Sequence, residues 1–216
     1  MDFAAARHNM VESQIRPNRV TDDRLISAMG TVPREAFVPK ELRGVAYVDE
    51  AIPISDGRYL MEPMILARLL QEAAPTAGDL ALTVGCGTGY AAAVLSHLVG
   101  AVVAVESDAA LARQASRTLT DMGIDTVAVI EGALAEGCRD QAPFDIIFFD
   151  GAVAEIPESV ASQLTEGGRL AAVVAGSAIG KGVLVTRRRG ILSSREVFDA
   201  GTPLLPGFER KAAFVF

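Results

Sequence analysis

The feature that most constrains the fold is a repeated alternation of short apolar runs with helical stretches after Thr76. The runs are rich in Val, Ile, Leu and Ala along their whole length, as expected for strands that are buried on both faces. Strands that alternate with helices are typical of a parallel sheet covered on both sides. The predicted strands are 80–84, 101–106, 126–131, 144–149 and 169–174. The sequence therefore predicts an α/β fold with a doubly wound, mostly parallel sheet of the Rossmann-like type.

The N-terminal third of the chain has a different texture, with helical patterns interrupted by prolines. Residues 3–15 predict an amphipathic helix that stops at Pro17. Thr21 is a candidate cap for a second helix, because its hydroxyl can accept from the first free amide groups. We therefore predict a helical N-terminal region over residues 1–75, distinct from the alternating part that follows.

The C-terminal part of the chain predicts an antiparallel edge to the sheet. Two alternating runs flank Gly190, which is typical of a hairpin, and AAFVF (212–216) predicts a final strand. We assign residues 76–216 to one α/β region. The helical N-terminal region and this α/β region are expected to form one compact globular unit.

Composition and charge exclude several classes of protein. Half of the 216 residues are hydrophobic and 22% are charged, which is too apolar for a disordered chain. The net charge is −7, and because an acidic surface repels phosphates we expect no nucleic-acid partner. Cys86 and Cys138 are too few for a disulfide scaffold. With no signal-like or membrane-spanning run and no metal-ligand pattern, we expect a cytoplasmic protein with neither a membrane partner nor a metal.

The densest chemical signal is the loop VGCGTGY at residues 84–90, between a predicted strand and a predicted helix. Glycines at alternate positions let the backbone turn sharply and approach a ligand closely. Glu106 ends the next predicted strand, about 17 residues after Gly89. In a doubly wound sheet such an acid lies beside the glycine loop and can accept both hydroxyls of a ribose. A solvated carboxylate at a strand end is the alternative for Glu106.

The spacing of the glycines bears on which nucleotide cofactor is expected. A dinucleotide loop usually reads GxGxxG and leaves its pyrophosphate at the helix N-terminus. Here the third glycine comes one residue early, which favours a ligand without phosphates, such as S-adenosylmethionine. The turn LTEGGRL at 164–170 also belongs to the S-adenosylmethionine pattern. An oxidoreductase with a dinucleotide cofactor is the less favoured alternative.

Segments along most of the chain resemble the protein-L-isoaspartate O-methyltransferase family. The similarity runs from MVESQIRPNRVTDDRL through VGCGTGY, VVAVE, APFDIIFFDGA and LTEGGRL, and covers residues 10 to about 175. It implies the methyltransferase version of the Rossmann-like fold, with S-adenosylmethionine as donor and S-adenosylhomocysteine as product. It also implies that residues 1–75 form an N-terminal helical cap that helps to build the acceptor site, and that residues 76–216 bind the cofactor. It implies an acceptor that is an isoaspartyl-containing protein or peptide, methylated on its carboxylate as a step of protein repair. The implied cofactor-binding residues are Gly85, Cys86, Gly87, Thr88, Gly89, Glu106, Gly132, Ala133 and Asp150.

Several positions depart from the family pattern. The family usually carries a segment like Gly-Gln-Thr-Ile-Ser-Gln-Pro, and here 57–63 reads GRYLMEP, so that Met61 replaces the Ser. A thioether accepts only weakly and donates nothing, so it cannot hold a carboxylate oxygen. Thr83 replaces an acid before the glycine loop, and Ala133 replaces an Asp that contacts the adenine amino group. Two lost contacts predict cofactor binding that is weaker by roughly tenfold to several hundredfold.

The same segment supplies a cation and a phenol. A guanidinium is well suited to hold a carboxylate, so we predict that Arg58, Tyr59 and Met61 occupy the acceptor site and that Arg58 binds an anionic acceptor. The alternative for Arg58 is a solvent-facing ion pair with Glu62. Asp150 is expected either to face the cofactor or the acceptor, or to cap the following loop.

The sequence thus predicts an S-adenosylmethionine-dependent O-methyltransferase that acts on an isoaspartyl or other carboxylate. Such a carboxylate is already ionised at neutral pH, so positioning and exclusion of water matter more than a strong base. The alternative is a protein that keeps the fold but has lost or changed its activity, either as a non-catalytic binding protein or with a different acceptor.

Overall fold

The computed structural model describes residues 1–176 and 178–209. Its helices are α1 (Phe3–Met10), α2 (Asp23–Thr31), α3 (Pro63–Ala73), α4 (Tyr90–Ser96), α5 (Ala109–Asp121) and α6 (Glu158–Ala161). A short ribbon consists of strands β1 (Ile52–Ser55) and β2 (Arg58–Leu60). The main sheet contains β3 (Leu80–Val84), β4 (Ala101–Glu106), β5 (Val127–Glu131), β6 (Phe144–Val153), β7 (Leu164–Val174), β8 (Lys181–Arg188) and β9 (Ile191–Asp199).

The main sheet has the strand order β5-β4-β3-β6-β7-β8-β9. The five strands from β3 to β7 are parallel to their neighbours, and β8 and β9 pair antiparallel as a hairpin at one edge. This confirms the predicted α/β fold with an antiparallel C-terminal edge. The strand predicted for 212–216 lies outside the described residues.

Strands β6 and β7 are longer than the sequence pattern predicts. The prediction ended β6 at residue 149, but the strand continues to Val153 through a shift in its register with β7. The extension stays in the sheet because a later segment pairs with it, as the Ala152 amide donates to the Pro203 carbonyl at 2.9 Å. Local sequence patterns do not show that residue 203 will pair with β6, so they could not predict the longer strand.

The helical cap differs from prediction in how its second helix begins. The carboxylate of Asp22 accepts from the amides of Arg24 (2.9 Å) and Leu25 (3.4 Å), so Asp22 is the cap of α2. The prediction of Thr21 as the cap was wrong. The Thr21 amide instead donates to the side chain of Gln71 in α3, because the cap packs against that helix.

The cap and the sheet share one apolar core. Leu25 and Met29 of α2 belong to the same buried cluster as Ala92 of α4 and Ala104 of β4. The rings of Phe37 and Tyr90 meet edge to face, with their centroids 5.4 Å apart. This core joins the cap to α4 and to the strands of the main sheet. Within the part of the chain that the structure describes, no helix has the length and apolar character needed to cross a membrane.

Candidate functional site

The main sheet has a topological switch point between β3 and β6. The chain runs outward from β3 through β4 to β5 and then returns to the opposite side of β3 as β6. In open α/β sheets, ligands bind in the crevice at the carboxyl ends of the strands at such a point. The structure brings Gly85, Glu106 and Asp150 together at this crevice, as the sequence predicts.

The glycine loop turns away from β3 in conformations that favour glycine. Gly85, Gly87 and Gly89 have φ values of +77°, +55° and +99°. The Gly85 amide donates to the Val105 carbonyl at 2.9 Å, and the Gly87 amide donates to Oε2 of Glu106 at 2.7 Å. The loop is thereby held against the end of β4.

The carboxylate of Glu106 is fully buried and has all of its partners within the chain. Nη1 of Arg58 lies 2.5 Å from Oε1, and Nη2 of Arg58 lies 2.7 Å from Oε2. The amides of Gly87 and Asp108 donate to the same carboxylate at 2.7 and 3.0 Å. Glu106 is therefore neither a solvated strand-end acid nor free to accept from a ribose in this conformation.

Arg58 is buried, whereas the alternative drawn from the sequence placed it on the surface. Its side chain is 4% exposed, and Nη2 also donates to the Gly85 carbonyl at 2.9 Å. The expectation that Arg58 pairs with Glu62 on a solvent face was wrong, because its ion pair is with Glu106 across the crevice. Burial raises the pKa of Glu62, and one of its carboxylate oxygens has no hydrogen-bond partner among the described residues.

Two apolar side chains complete the filling of the crevice. A Cβ added to Gly85 would lie 2.8 Å from Cδ2 of Leu205, and one added to Gly151 would lie 2.7 Å from the same atom. A Cβ added to Gly87 would lie 2.7 Å from Cδ1 of Ile54. The bare backbone around the crevice is thus in direct contact with side chains of this chain. We call Ile54, Arg58 and Leu205 the crevice plug.

Leu205 is held in place by main-chain hydrogen bonds to β6. Its amide donates to the Ala152 carbonyl at 2.8 Å, and the Ala154 amide donates to the Phe208 carbonyl at 3.0 Å. The ring of Phe208 meets Phe149 of β6 edge to face, with centroids 5.7 Å apart. The segment 203–208 therefore lies beside the end of β6, where Leu204 pairs in parallel with Ala152, and it turns at residues 206–207.

A small cavity remains beside the crevice plug. It measures about 10 Å³ and is lined by Gly57, Arg58, Tyr59, Met61, Asp150, Gly151 and residues 202–205. That is about the size of one water molecule, whereas ligand pockets usually measure roughly 300–1,000 Å³. The residues that would contact S-adenosylmethionine are present, but in this conformation Arg58 occupies the Glu106 carboxylate to which a ribose would bind.

Asp150 lies in the bulged part of β6 at the floor of the crevice. Burial raises its pKa to about 7, and the nearby guanidinium groups of Arg58 and Arg34 offset this only in part. The neighbouring Glu106 carboxylate raises the pKa further. Asp150 is therefore a carboxyl group whose charge changes near neutral pH.

The predicted acceptor residues line one small cavity but differ in exposure. Met61 is buried, and its carbonyl accepts from Nη2 of Arg34 at 2.6 Å. Tyr59 is 38% exposed, while the guanidinium of Arg58 is bound to Glu106. The cavity that all three line measures about 10 Å³, which is too small for an isoaspartyl side chain, so their assignment to an acceptor site stays a prediction.

The other predicted cofactor residues occupy the walls and the rim of the crevice. Cys86 is buried, and the hydroxyl of Thr88 donates to the Phe37 carbonyl at 2.6 Å, which ties the loop to the cap. The Gly132 amide donates to the main-chain carbonyl of Glu106 at 2.9 Å, and Ala133 is exposed. Thr83 is buried, and its hydroxyl has no hydrogen-bond partner among the described residues.

The sequence prediction missed Arg34 and Leu205. Arg34 is fully buried, donates to the Ala46 carbonyl at 2.7 Å and lies over the ring of Tyr90, with 4.9 Å from Cζ to the centroid. Its burial lowers its pKa. Neither residue has a local signal, because an Arg in a turn and a Leu between prolines are common on surfaces. In the described ranges, no group of three or more His, Cys, Asp or Glu side chains could hold a metal ion.

Comparison with known proteins gives a consistent family match. The family model described as Protein-L-isoaspartate(D-aspartate) O-methyltransferase (PCMT) matches residues 5–196. A protein-L-isoaspartate O-methyltransferase of Koribacter versatilis is 38% identical over 197 residues, which are 91% of this chain and 89% of that relative. The matched region includes the cap, the glycine loop and all strands up to β8.

Two solved structures share the fold. A protein-L-isoaspartate O-methyltransferase superposes with a TM-score of 0.81 at 26% identity, over 93% of this chain and 66% of that one. This chain therefore spans about two thirds of the length of that protein. A putative protein-L-isoaspartate O-methyltransferase from Plasmodium falciparum, in complex with S-adenosyl-L-homocysteine, superposes with a TM-score of 0.80 at 20% identity, over 92% of this chain and 97% of that one.

Proposed function

The chain belongs to the protein-L-isoaspartate(D-aspartate) O-methyltransferase family, and from this we propose that it transfers a methyl group from S-adenosylmethionine to an isoaspartyl carboxylate of a protein or peptide. The observation that carries the proposal is the position of Glu106 beside the glycine loop at the switch point of the sheet. Acid, loop and switch point together are the arrangement that binds the ribose of a nucleotide cofactor. The family match extends over both the loop and Glu106.

The proposal assigns separate tasks to the two parts of the chain. The residues 76–216 would hold the cofactor, chiefly through Gly85, Gly87, Gly89 and Glu106. The cap, residues 1–75, would build the acceptor side with Tyr59. Free Cys86 and Cys138 thiols support a cytoplasmic setting, because reducing compartments keep thiols unpaired.

A second candidate function is favoured by the filled crevice. Because Arg58 and Leu205 occupy the space at the switch point, the chain could keep the fold and act as a non-catalytic binding protein. Methyl transfer instead requires a conformation in which Arg58 has left Glu106. The two candidates therefore differ in whether an S-adenosyl compound binds at all.

Methyl transfer from radiolabelled S-adenosylmethionine to a synthetic isoaspartyl peptide tests the first candidate. We expect label in the isoaspartyl peptide, none in the same peptide with ordinary aspartate, and loss of label with Glu106→Gln, which removes the charge at the ribose position. Both the natural chain and Arg58→Gln should be assayed, since the second has a less obstructed crevice. If either form binds S-adenosylhomocysteine by calorimetry and neither transfers a methyl group, the acceptor assignment is wrong. If neither form binds it at millimolar concentration, the second candidate stands.

A further inference from the structure

We propose that the crevice plug is an internal inhibitor of cofactor binding, in which the Arg58 guanidinium occupies the place where a ribose would meet Glu106. This inference rests on the proposed function of the crevice as the cofactor site. It concerns how that site is regulated, and it assigns Arg58 to the cofactor side of the crevice rather than to the acceptor side.

The first support is the strength of the bonds that a ribose would have to replace. Arg58 makes two charge-assisted hydrogen bonds to a Glu106 carboxylate that is fully buried. A ribose offers only neutral hydroxyls, whose bonds to a carboxylate are weaker than those of a bidentate guanidinium. Binding would also leave the displaced guanidinium in need of another partner or of water. The cofactor therefore competes at a disadvantage with a group of the same chain.

The second support is that the crevice is closed from two sides by segments that are distant in sequence. Ile54 and Arg58 come from the β1–β2 ribbon and cover Gly85 and Gly87. Leu205 comes from the segment 203–208 and covers Gly85 and Gly151. Each segment has bonds of its own that hold it, so a complete opening breaks both sets. The apparent affinity for the cofactor is the affinity of the open conformation multiplied by the fraction of molecules that are open.

The third support is the residue type at position 58. Of the side chains that could reach this position, a guanidinium presents two donors in the geometry that matches both oxygens of a carboxylate. A Gln side chain is shorter and uncharged, so it could not form this bidentate ion pair with Glu106. The guanidinium of Arg58 is therefore the group that fills the ribose position.

Calorimetry with S-adenosylhomocysteine tests the proposal on the full chain. The variants are Arg58→Gln, which removes the charge and the bidentate bond to Glu106, Leu205→Ala, which opens the other side, and the two combined. We expect each single variant to bind at least tenfold more tightly than the natural chain, and the combined variant about a hundredfold more tightly. Arg169→Gln is the matched control, because Arg169 pairs with Asp79 at 2.6 Å and also donates to main-chain carbonyls, but in a place remote from the crevice. Its affinity should equal that of the natural chain.

Equal affinity in the natural chain and in all three plug variants would overturn the proposal. The proposal would also be overturned if the plug variants are folded, as shown by cooperative unfolding, and still do not bind S-adenosylhomocysteine. Leu205→Ala keeps the ion pair, so it maintains the test if Arg58→Gln does not fold. Variants that bind tightly but do not methylate the isoaspartyl peptide uphold the plug and contradict the proposed function. Tight binding and methyl transfer by the natural chain uphold the function and contradict the plug.

Discussion

At the scale of single residues, the pair formed by Arg58 and Glu106 dominates the chemistry of the crevice. The two residues are 48 positions apart, and both side chains are almost fully buried. A buried ion pair gains little over apolar packing, but removal of one partner typically costs about 3–5 kcal/mol because the other charge stays buried. The pair therefore specifies which segments meet at the crevice more than it stabilises the fold.

Asp150 leads to a prediction about pH. Its pKa is about 7 in the folded chain, against an ordinary value of 3.8, so the folded state holds the proton more tightly than the unfolded state. The contribution of Asp150 to the free energy of unfolding should therefore be highest below pH 4 and should fall as the pH rises towards 7. Asp150→Asn removes this dependence and should raise the free energy of unfolding at pH 8 by roughly 2–4 kcal/mol, with little change near pH 4.

Urea unfolding at several pH values measures this effect. The control is Asp140→Asn, which changes an exposed Asp of the same region and should leave the pH dependence as it is. The assignment fails if the natural chain and Asp150→Asn lose the same free energy between pH 5 and pH 8.

At the scale of elements, some helix and strand ends are set by a neighbouring residue and others by a residue far away in the sequence. Asp22 caps α2 from the adjacent position, which an inspection of the sequence could have found. The extension of β6 depends on bonds to the segment 203–205, about 50 residues later. Local chemistry thus sets the start of α2, while tertiary pairing sets the end of β6.

The cap of α2 gives a prediction with a matched pair of variants. Asp22→Ala removes the side chain that accepts from two helix amides and should lower the free energy of unfolding by about 1 kcal/mol. Thr21→Ala should cost less than half as much, because the main-chain amide of Thr21 keeps its bond to Gln71. Urea unfolding of both variants decides between the two caps. A larger loss for Thr21→Ala would restore Thr21 as the capping residue.

At the scale of the whole molecule, cap and sheet share a core, so they should unfold together. The chain has no Trp and three Tyr, of which Tyr47 and Tyr59 lie in the cap and Tyr90 at the start of α4. Tyrosine fluorescence therefore follows the cap and its junction with the sheet. Far-UV circular dichroism follows the helices and the sheet as a whole. The two signals should give the same midpoint in urea. A fluorescence transition at clearly lower urea would show that the cap unfolds by itself.

The sequence determined the parallel sheet and the glycine loop with its neighbouring acid at the switch point of that sheet. Alternating apolar runs, glycine spacing and an acid at the next strand end are local patterns, and burial in a parallel sheet requires them wherever the strands pair. The loop 84–90, Glu106 and Asp150 were predicted in this way, and the structure places them together. The family resemblance covered the same residues.

Only the tertiary structure decided what fills the crevice. The sequence predicts Arg58 either at an acceptor site or in a surface ion pair with Glu62, and it indicates for Leu205 only a segment between two prolines. Neither local pattern identifies the partner that the residue has in the structure. Their contacts join segments that are about 50 and about 120 positions apart in the chain. A buried charge needs a partner, and a glycine backbone lets another side chain approach closely. Which side chain takes that position depends on how the whole chain packs.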